Sequence, residues 1–145
     1  MSLEIDAVSK DVLTARWNDV SAKLVQLAEE LPADRYEFSP APEVRTAAAQ
    51  LRHAAFWNQY LAATLRGESP DGSANELCDE EFAKKDQIVA ALRDSFGEVA
   101  AAIEASADAE GMAENVISYI GHNSEHYGQL VIYYRLNGLV PPASR

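Results

Sequence analysis

The sequence predicts an all-α protein, a four-helix bundle with a long first crossover loop. Apolar residues recur at alternating steps of four and three in long segments, and no segment shows the alternation of a β-strand over a useful length. Most of the six prolines lie between the periodic segments. Since 145 residues with 48% hydrophobic side chains can bury one ordinary core, we expect a single domain over residues 1–145.

The first helix is expected from about Asp6 to Leu31, and Pro32 ends it. One face of this helix carries an apolar stripe typical of bundle packing. The stripe consists of Leu13, Trp17, Val20, Leu24, Leu27 and Leu31. The stretch 32–44 contains three prolines and indicates an ordered crossover loop, which we expect Tyr36 and Phe38 to anchor in the core.

Three further helices are expected after the crossover. The second begins near Thr46, a favourable N-cap, and stops at Gly67. Residues 68–79 are rich in acids and turn formers and predict a surface loop. The third helix is expected over about 86–105 and the fourth over about 112–137. Such a sequence of elements is typical of a four-helix bundle.

The charge and the cysteine content exclude several classes of protein. With 12 basic and 23 acidic residues the net charge is −11, and no basic run offers contacts to phosphates, which disfavours nucleic-acid and membrane-surface partners. Cys78 is the only cysteine, so no intramolecular disulfide can form. The N-terminus lacks the pattern of a signal peptide, and no apolar run reaches the roughly 20 residues of a membrane span. We expect a cytoplasmic protein.

Three histidines are the main functional signal. His122 and His126 lie four residues apart on the fourth helix, so both rings project from one face and can bind a single metal. His53 lies on the second helix among polar and aromatic residues, and two such faces turned toward each other would bring it onto the pair. The spacing alone also allows a core or surface histidine pair without metal.

The segments HNSEHYGQLVIYYRLNGLVPPASR (122–145) and AAAQLRHAAFWNQYL (47–61) resemble the DinB/YfiT-like superfamily. The Trp17 helix, LPADRYEFSPAPEVRT and KKDQIVAALRDSFGEV are similar to that family as well, so the resemblance covers nearly the whole chain. It implies a metal-dependent four-helix bundle, often a homodimer, in which His53, His122 and His126 hold one divalent metal. The loop 68–79 has no recognised counterpart in the family pattern.

A site of three imidazoles with an open position suits Zn, Ni, Fe or Co. The resemblance implies a further point, because characterised relatives include transferases and isomerases that use low-molecular-weight thiols. We therefore expect a metal-dependent enzyme acting on a small molecule, either a thiol S-transferase or a hydrolase. The alternative is a non-catalytic metal-binding bundle, a scaffold or stress-response protein. The motif His-x-x-Glu-His also occurs in proteases, but no acid follows His126 as a third ligand.

Several other residues are candidates for the site, each with an ordinary alternative. Glu125 could be a base or support a ligand, although such a residue is more often a surface acid. Gln129 could orient a ligand or be a satisfied core amide. The aromatic Trp57 and Tyr60 could line a cofactor or substrate pocket or simply pack in the core. Arg45 and Arg52 could attract an anionic thiol or remain solvated.

The fourth helix also carries small residues away from the histidine line. Gly121, Ser124 and Gly128 share one face and would let a second helix approach closely. That helix could belong to a second copy of the chain, which would make a homodimer, or to the same bundle.

Overall fold

The structure is a computed structural model that describes residues 9–145, without the side chain of Ala109. This part of the chain forms four long helices and no strand, which confirms the predicted all-α class. The helices are α1 (Lys10–Glu30), α2 (Ala47–Leu65), α3 (Lys85–Ala105) and α4 (Ala109–Leu136). Two short 3-10 turns, Ala33–Arg35 and Pro142–Ser144, follow α1 and α4. Among residues 9–145, no helix combines the length and apolar character needed to cross a bilayer.

The C-terminal end of α1, at Glu30, lies one residue before the predicted Leu31. Ser9 caps the helix, because its side chain accepts a hydrogen bond from the backbone N–H of Val12. The predicted start at Asp6 lies outside the described residues. All six residues of the predicted apolar stripe are buried. Trp17 is fully buried and donates from Nε1 to the carbonyl of Phe96 on α3 at 3.0 Å, so the one polar atom of its indole is satisfied inside the core.

The crossover between α1 and α2 is anchored as predicted. Tyr36 is buried, and its hydroxyl donates to the carbonyl of Ala28. Phe38 packs edge-on against Tyr133 of α4, with 5.7 Å between ring centroids. Because the loop is tied to α1 and to α4, it carries the chain across the bundle in a defined path.

Capping residues explain the remaining helix boundaries. Thr46 accepts from the N–H of Ala49 and starts α2, as predicted. α4 begins three residues earlier than expected, because the side chain of Asp108 accepts from the N–H of Gly111. α3 starts one residue early, at Lys85. The backbone of Gly67, at φ +86°, turns the chain away after α2.

The packing order brings α2 beside α4. α2 packs against α3 and α4, and α1 packs against the same two helices. α1 and α2 therefore lie across the bundle from each other, which is why a long crossover connects them. A buried polar pair, Asn123 of α4 donating to Asn58 of α2 at 2.9 Å, fixes the contact between the two helices that carry the histidines.

Candidate metal centre

Three histidine side chains meet between α2 and α4. The Nε2 atom of His122 lies 3.2 Å from Nε2 of His53 and 3.2 Å from Nε2 of His126. One ring nitrogen of each histidine lies within 4.8 Å of the others. His53 and His126 are each 7% exposed, whereas His122 is half-buried. The structure thus brings His53 onto the His122–His126 pair and forms a three-histidine group that could hold a metal ion.

The outer nitrogens of two of these rings are held by oxygen acceptors. Nδ1 of His53 lies 2.7 Å from the backbone carbonyl of Asn75, and Nδ1 of His126 lies 2.5 Å from Oε1 of Gln50. A carbonyl oxygen only accepts, so the proton of each imidazole is placed on Nδ1. The Nε2 atoms of both rings then carry lone pairs that point toward His122.

This donor set fits a divalent transition metal. Two inward lone pairs face Nε2 of His122, and Nδ1 of the same ring is buried without a hydrogen-bond partner among the described residues. A metal bound at about 2.05 Å by tetrahedral imidazoles separates their nitrogens by about 3.3 Å, and the two pairs that include His122 are 3.2 Å apart, while all three nitrogens lie within 4.8 Å of one another. Oriented histidines with a second partner on the far nitrogen are the usual arrangement around such metals.

The electrostatics also favour the neutral, ligating form of the rings. Burial is the largest cause that lowers the pKa of all three histidines. Repulsion from the neighbouring rings adds to burial at His122 and His126, and together these effects lower the pKa of His126 to about 4. At neutral pH all three imidazoles are therefore unprotonated at one nitrogen, which is what metal binding requires.

The comparison with protein families agrees with this geometry. Residues 16–133, which include all three histidines and most of the four helices, match the DinB superfamily. The chain belongs to the DinB superfamily. No match was found among curated proteins. Membership confirms the resemblance that the histidine segments indicated.

Aromatic residues line one side of this DinB histidine group. The ring of Trp57 lies 6.5 Å from that of His53 and 4.9 Å from that of Tyr60, measured between centroids. A small cleft of about 190 Å³ opens beside His122, between Trp57 and Tyr119. An apolar cleft next to a metal-binding group could hold the apolar part of a small substrate.

A larger polar cleft of about 610 Å³ lies beside Gln50. Arg45 and Gln129 line it. Arg45 is exposed, makes no salt bridge within residues 9–145, and lowers the pKa of all three histidines through its charge, although less than burial does. Gln129 accepts a hydrogen bond from Gln50 and so supports the His126 contact indirectly. Glu125 is exposed, makes no hydrogen bond within residues 9–145, and lies outside the group of facing rings.

Arg52 neither remains solvated nor is free to attract an anionic cofactor. Its side chain is buried, donates from Nε to Glu76 at 2.9 Å and donates from Nη1 to the carbonyl of Phe82 at 3.1 Å. The guanidinium therefore holds the segment between α2 and α3. Sequence reasoning also missed Asn75, because it treated residues 68–79 as a surface loop. An asparagine in a loop carries no spacing signal that would connect it with a histidine 22 positions earlier.

Proposed function

We propose that His53, His122 and His126 bind one divalent transition metal and that the chain is a metal-dependent enzyme acting on a small molecule. The observation that carries the proposal is the convergence of three Nε2 atoms, two of them on rings whose Nδ1 atoms are held by carbonyl oxygens. Zn, Ni, Fe and Co all suit such nitrogen ligands. Three protein ligands are fewer than the four of a closed structural zinc site, which favours a catalytic role.

The reaction class that we propose first is transfer involving a low-molecular-weight thiol. A metal with an open position stabilises the deprotonated form of a thiol or a water molecule. Around it, Gln50 and Asn75 orient two imidazoles, and Trp57 and Tyr119 line the cleft beside His122. Arg45 supplies a cation where an anionic thiol would approach this acidic protein. Hydrolysis is the variant in which water takes the place of the thiol.

One observation favours the alternative of a non-catalytic metal-binding bundle. Among the described residues, Glu125 is the acid nearest in sequence to the paired histidines, yet it is exposed and makes no hydrogen bond there. Glu125 is therefore not held by a hydrogen bond in the position of a general base. In this reading the metal would bind without turnover.

We also propose that the chain forms a homodimer through α4. Gly121, Ser124 and Gly128 are exposed, and a Cβ atom added at either glycine would meet nothing within 4 Å in the described residues. The small-residue face is therefore not used within the described bundle. A glycine inside an exposed helix costs about 0.5–1 kcal/mol relative to alanine, and close approach of a second helix offsets that cost.

The test of the metal proposal is metal analysis of purified protein and of single variants. We expect about one metal per chain in the wild type and almost none in His122→Ala or His53→Ala, because two imidazoles rarely hold a metal tightly. Glu125→Ala is the matched control, since it changes α4 between the two histidines without removing a ring and should keep the metal. Near-stoichiometric metal in either histidine variant would refute the three-ligand site.

A further inference from the structure

The segment between α2 and α3 is fastened to α2 beside the histidine group. We name residues 72–77 the clamp. Gly72 lies so close to two rings of α2 that a Cβ atom there would come within 2.9 Å of Trp57 and 3.3 Å of Tyr60. Leu77 at the other end is largely buried, and its N–H faces the carbonyl of Arg52 at 3.4 Å. Both ends of the clamp are therefore held against α2.

Asn75 makes the two central contacts of the clamp. Its backbone carbonyl faces Nδ1 of His53 at 2.7 Å, and its side-chain oxygen accepts from Nε1 of Trp57 at 2.8 Å. The residue has φ +62°, in the left-handed region that asparagine tolerates better than other residues with a Cβ. This conformation turns the carbonyl toward the histidine, and the bond to Trp57 holds it there.

An ion pair fastens the clamp just after Asn75. The side chain of Arg52 is 8% exposed and bonds Glu76 at 2.9 Å, while its other nitrogen donates to the carbonyl of Phe82. A buried arginine without its partner would be costly. The pair therefore keeps residue 76, and with it the neighbouring carbonyl, against α2.

We propose that Asn75 is a positioning residue for the metal centre and that the clamp selects the ring orientation of His53. With the Nδ1 proton donated to the Asn75 carbonyl, the Nε2 lone pair of His53 stays directed at His122. Without that acceptor the imidazole could rotate, or its proton could move to Nε2. A protonated Nε2 has no lone pair with which to bind a metal. The inference rests on the proposed metal binding by His53. Loss of such partners typically weakens metal affinity about 10–100-fold.

Two substitutions at one position separate the backbone effect from the side-chain effect. Asn75→Gly keeps the carbonyl and permits positive φ but removes the bond to Trp57, whereas Asn75→Val is disfavoured at positive φ. Cobalt affinity is measured by competition with a chelator, and the ¹⁵N shifts of the histidine rings give the tautomer of His53 in metal-free protein. We expect Asn75→Val to weaken cobalt binding at least about 10-fold and to abolish the pure Nδ1–H form. Asn75→Gly should lose less cobalt affinity than Asn75→Val.

The controls keep failure of the clamp distinct from failure of metal binding. Asn18→Val on the exposed side of α1 should change neither readout, and circular dichroism checks that each variant is folded. If Asn75→Val does not fold, Trp57→Phe removes the partner of the Asn75 side chain and should weaken cobalt binding in a folded protein. Unchanged cobalt affinity and an unchanged His53 tautomer in a folded variant would overturn the proposal. If the wild type itself binds no metal, the proposed function fails, while the tautomer in metal-free protein still tests the clamp.

Discussion

Gln50 of α2 accepts a hydrogen bond from His126 of α4, with 2.5 Å between Oε1 and Nδ1. The amide nitrogen of Gln50 donates to Gln129 at 2.8 Å and reaches the hydroxyl of Tyr133 at 3.3 Å. That hydroxyl donates to the carbonyl of Arg45 at 2.6 Å. Since the amide nitrogen has these two oxygen partners, the amide oxygen must be the atom that faces the imidazole. The His126 ring is thus oriented from the neighbouring helix.

Removal of this acceptor should weaken metal binding. We expect Gln50→Leu to lower the affinity for zinc or cobalt about 10–100-fold, because Nδ1 of His126 would be buried without an acceptor and its ring would be free to reorient. Gln50→Glu keeps an oxygen acceptor and should lose less metal affinity than Gln50→Leu. Competition with a chelator measures the affinity of both variants. Gln26→Leu, on an exposed position of α1, is the control, and equal affinity in Gln50→Leu and wild type would contradict the prediction.

The metal-free protein should be folded at pH 7 and should lose stability on acidification. The buried faces of α1 and α3 supply core without the histidines. The pKa of each histidine is lowered in the folded state, to about 4 for His126, so between about 6.5 and 4 the unfolded chain binds more protons. The free energy of unfolding is therefore highest above pH 6.5 and falls toward pH 4.

Circular dichroism with denaturant, recorded in chelator at several pH values, measures this dependence. His126→Gln removes the most strongly shifted group and should flatten the pH dependence relative to wild type. A random coil at pH 7 after chelation would show that the metal is needed for folding and would favour a structural role for it. A denaturant midpoint that stays the same between pH 7 and 4.5 would contradict the assignment of the pH dependence to the histidines.

The sequence predicted the fold because local patterns determine most of it. The stripe from Leu13 to Leu31 follows a helical period, and Thr46 and Gly67 occupy positions where capping preferences are strong. A predicted helix boundary was wrong where a cap was not recognised. The side chain of Asp108 caps α4, which therefore begins three residues before the predicted Met112. The periodic signal is weak in that first turn, so only the capping contact identifies the start.

The part of the site that could be predicted from the sequence is the part that depends on the spacing of residues along a helix. His122 and His126 lie on one face whatever the fold, and the faces of α2 and α4 had to meet for His53 to join them. Contacts made by loop backbone were not predictable, because a carbonyl such as that of Asn75 belongs to every residue and leaves no mark in composition. Arg52 shows the same limit, since its sequence position near the site did not reveal that Glu76 pairs with it.

The proposed dimer has a register that can be tested. On α4, Gly121 and Gly128 lie equally far from the midpoint between Ser124 and Glu125, and so do two exposed apolar residues, Ile117 and Ile132. An antiparallel copy would therefore set glycine against glycine and isoleucine near isoleucine, as two-fold symmetry requires. We expect a dimer by light scattering at micromolar concentration, and Gly121→Leu should weaken it at least about 10-fold because a bulky side chain separates the backbones.

Gly97 provides a matched control for the dimer. It is an exposed glycine of α3 with open space around it, so Gly97→Leu makes the same chemical change away from the proposed interface and should leave association unaltered. The exposed charges Glu114 and Arg135 lie at equal distances from the same midpoint. Arg135→Glu should therefore weaken the dimer, and adding Glu114→Arg should restore it. A monomeric wild type would end the proposal.

The chemistry is tested with thiols that differ in one charge. Arg45 is exposed and unpaired within residues 9–145, beside the cleft that leads to Gln50, whereas Arg52 is engaged by Glu76. Cobalt-loaded protein should therefore bind mercaptoacetate about five-fold more tightly than its neutral amide, since one exposed charge contact is worth about 1 kcal/mol or less. Absorption bands of a cobalt–thiolate bond report binding. Arg45→Gln should remove the preference, while Arg16→Gln, an exposed arginine of α1, should keep it.

Turnover decides between the enzyme and the non-catalytic bundle. Metal-loaded protein is mixed with a panel of cellular thiols and small electrophiles, with His126→Ala as the metal-deficient control. Product formation that requires both metal and thiol supports an S-transferase, because the thiol is then the group activated beside the three imidazoles. Product that forms with metal but without thiol points to hydrolysis by an activated water. If thiols leave the cobalt spectrum unchanged and no electrophile is consumed, the three histidines of this DinB protein bind a metal that serves no thiol chemistry.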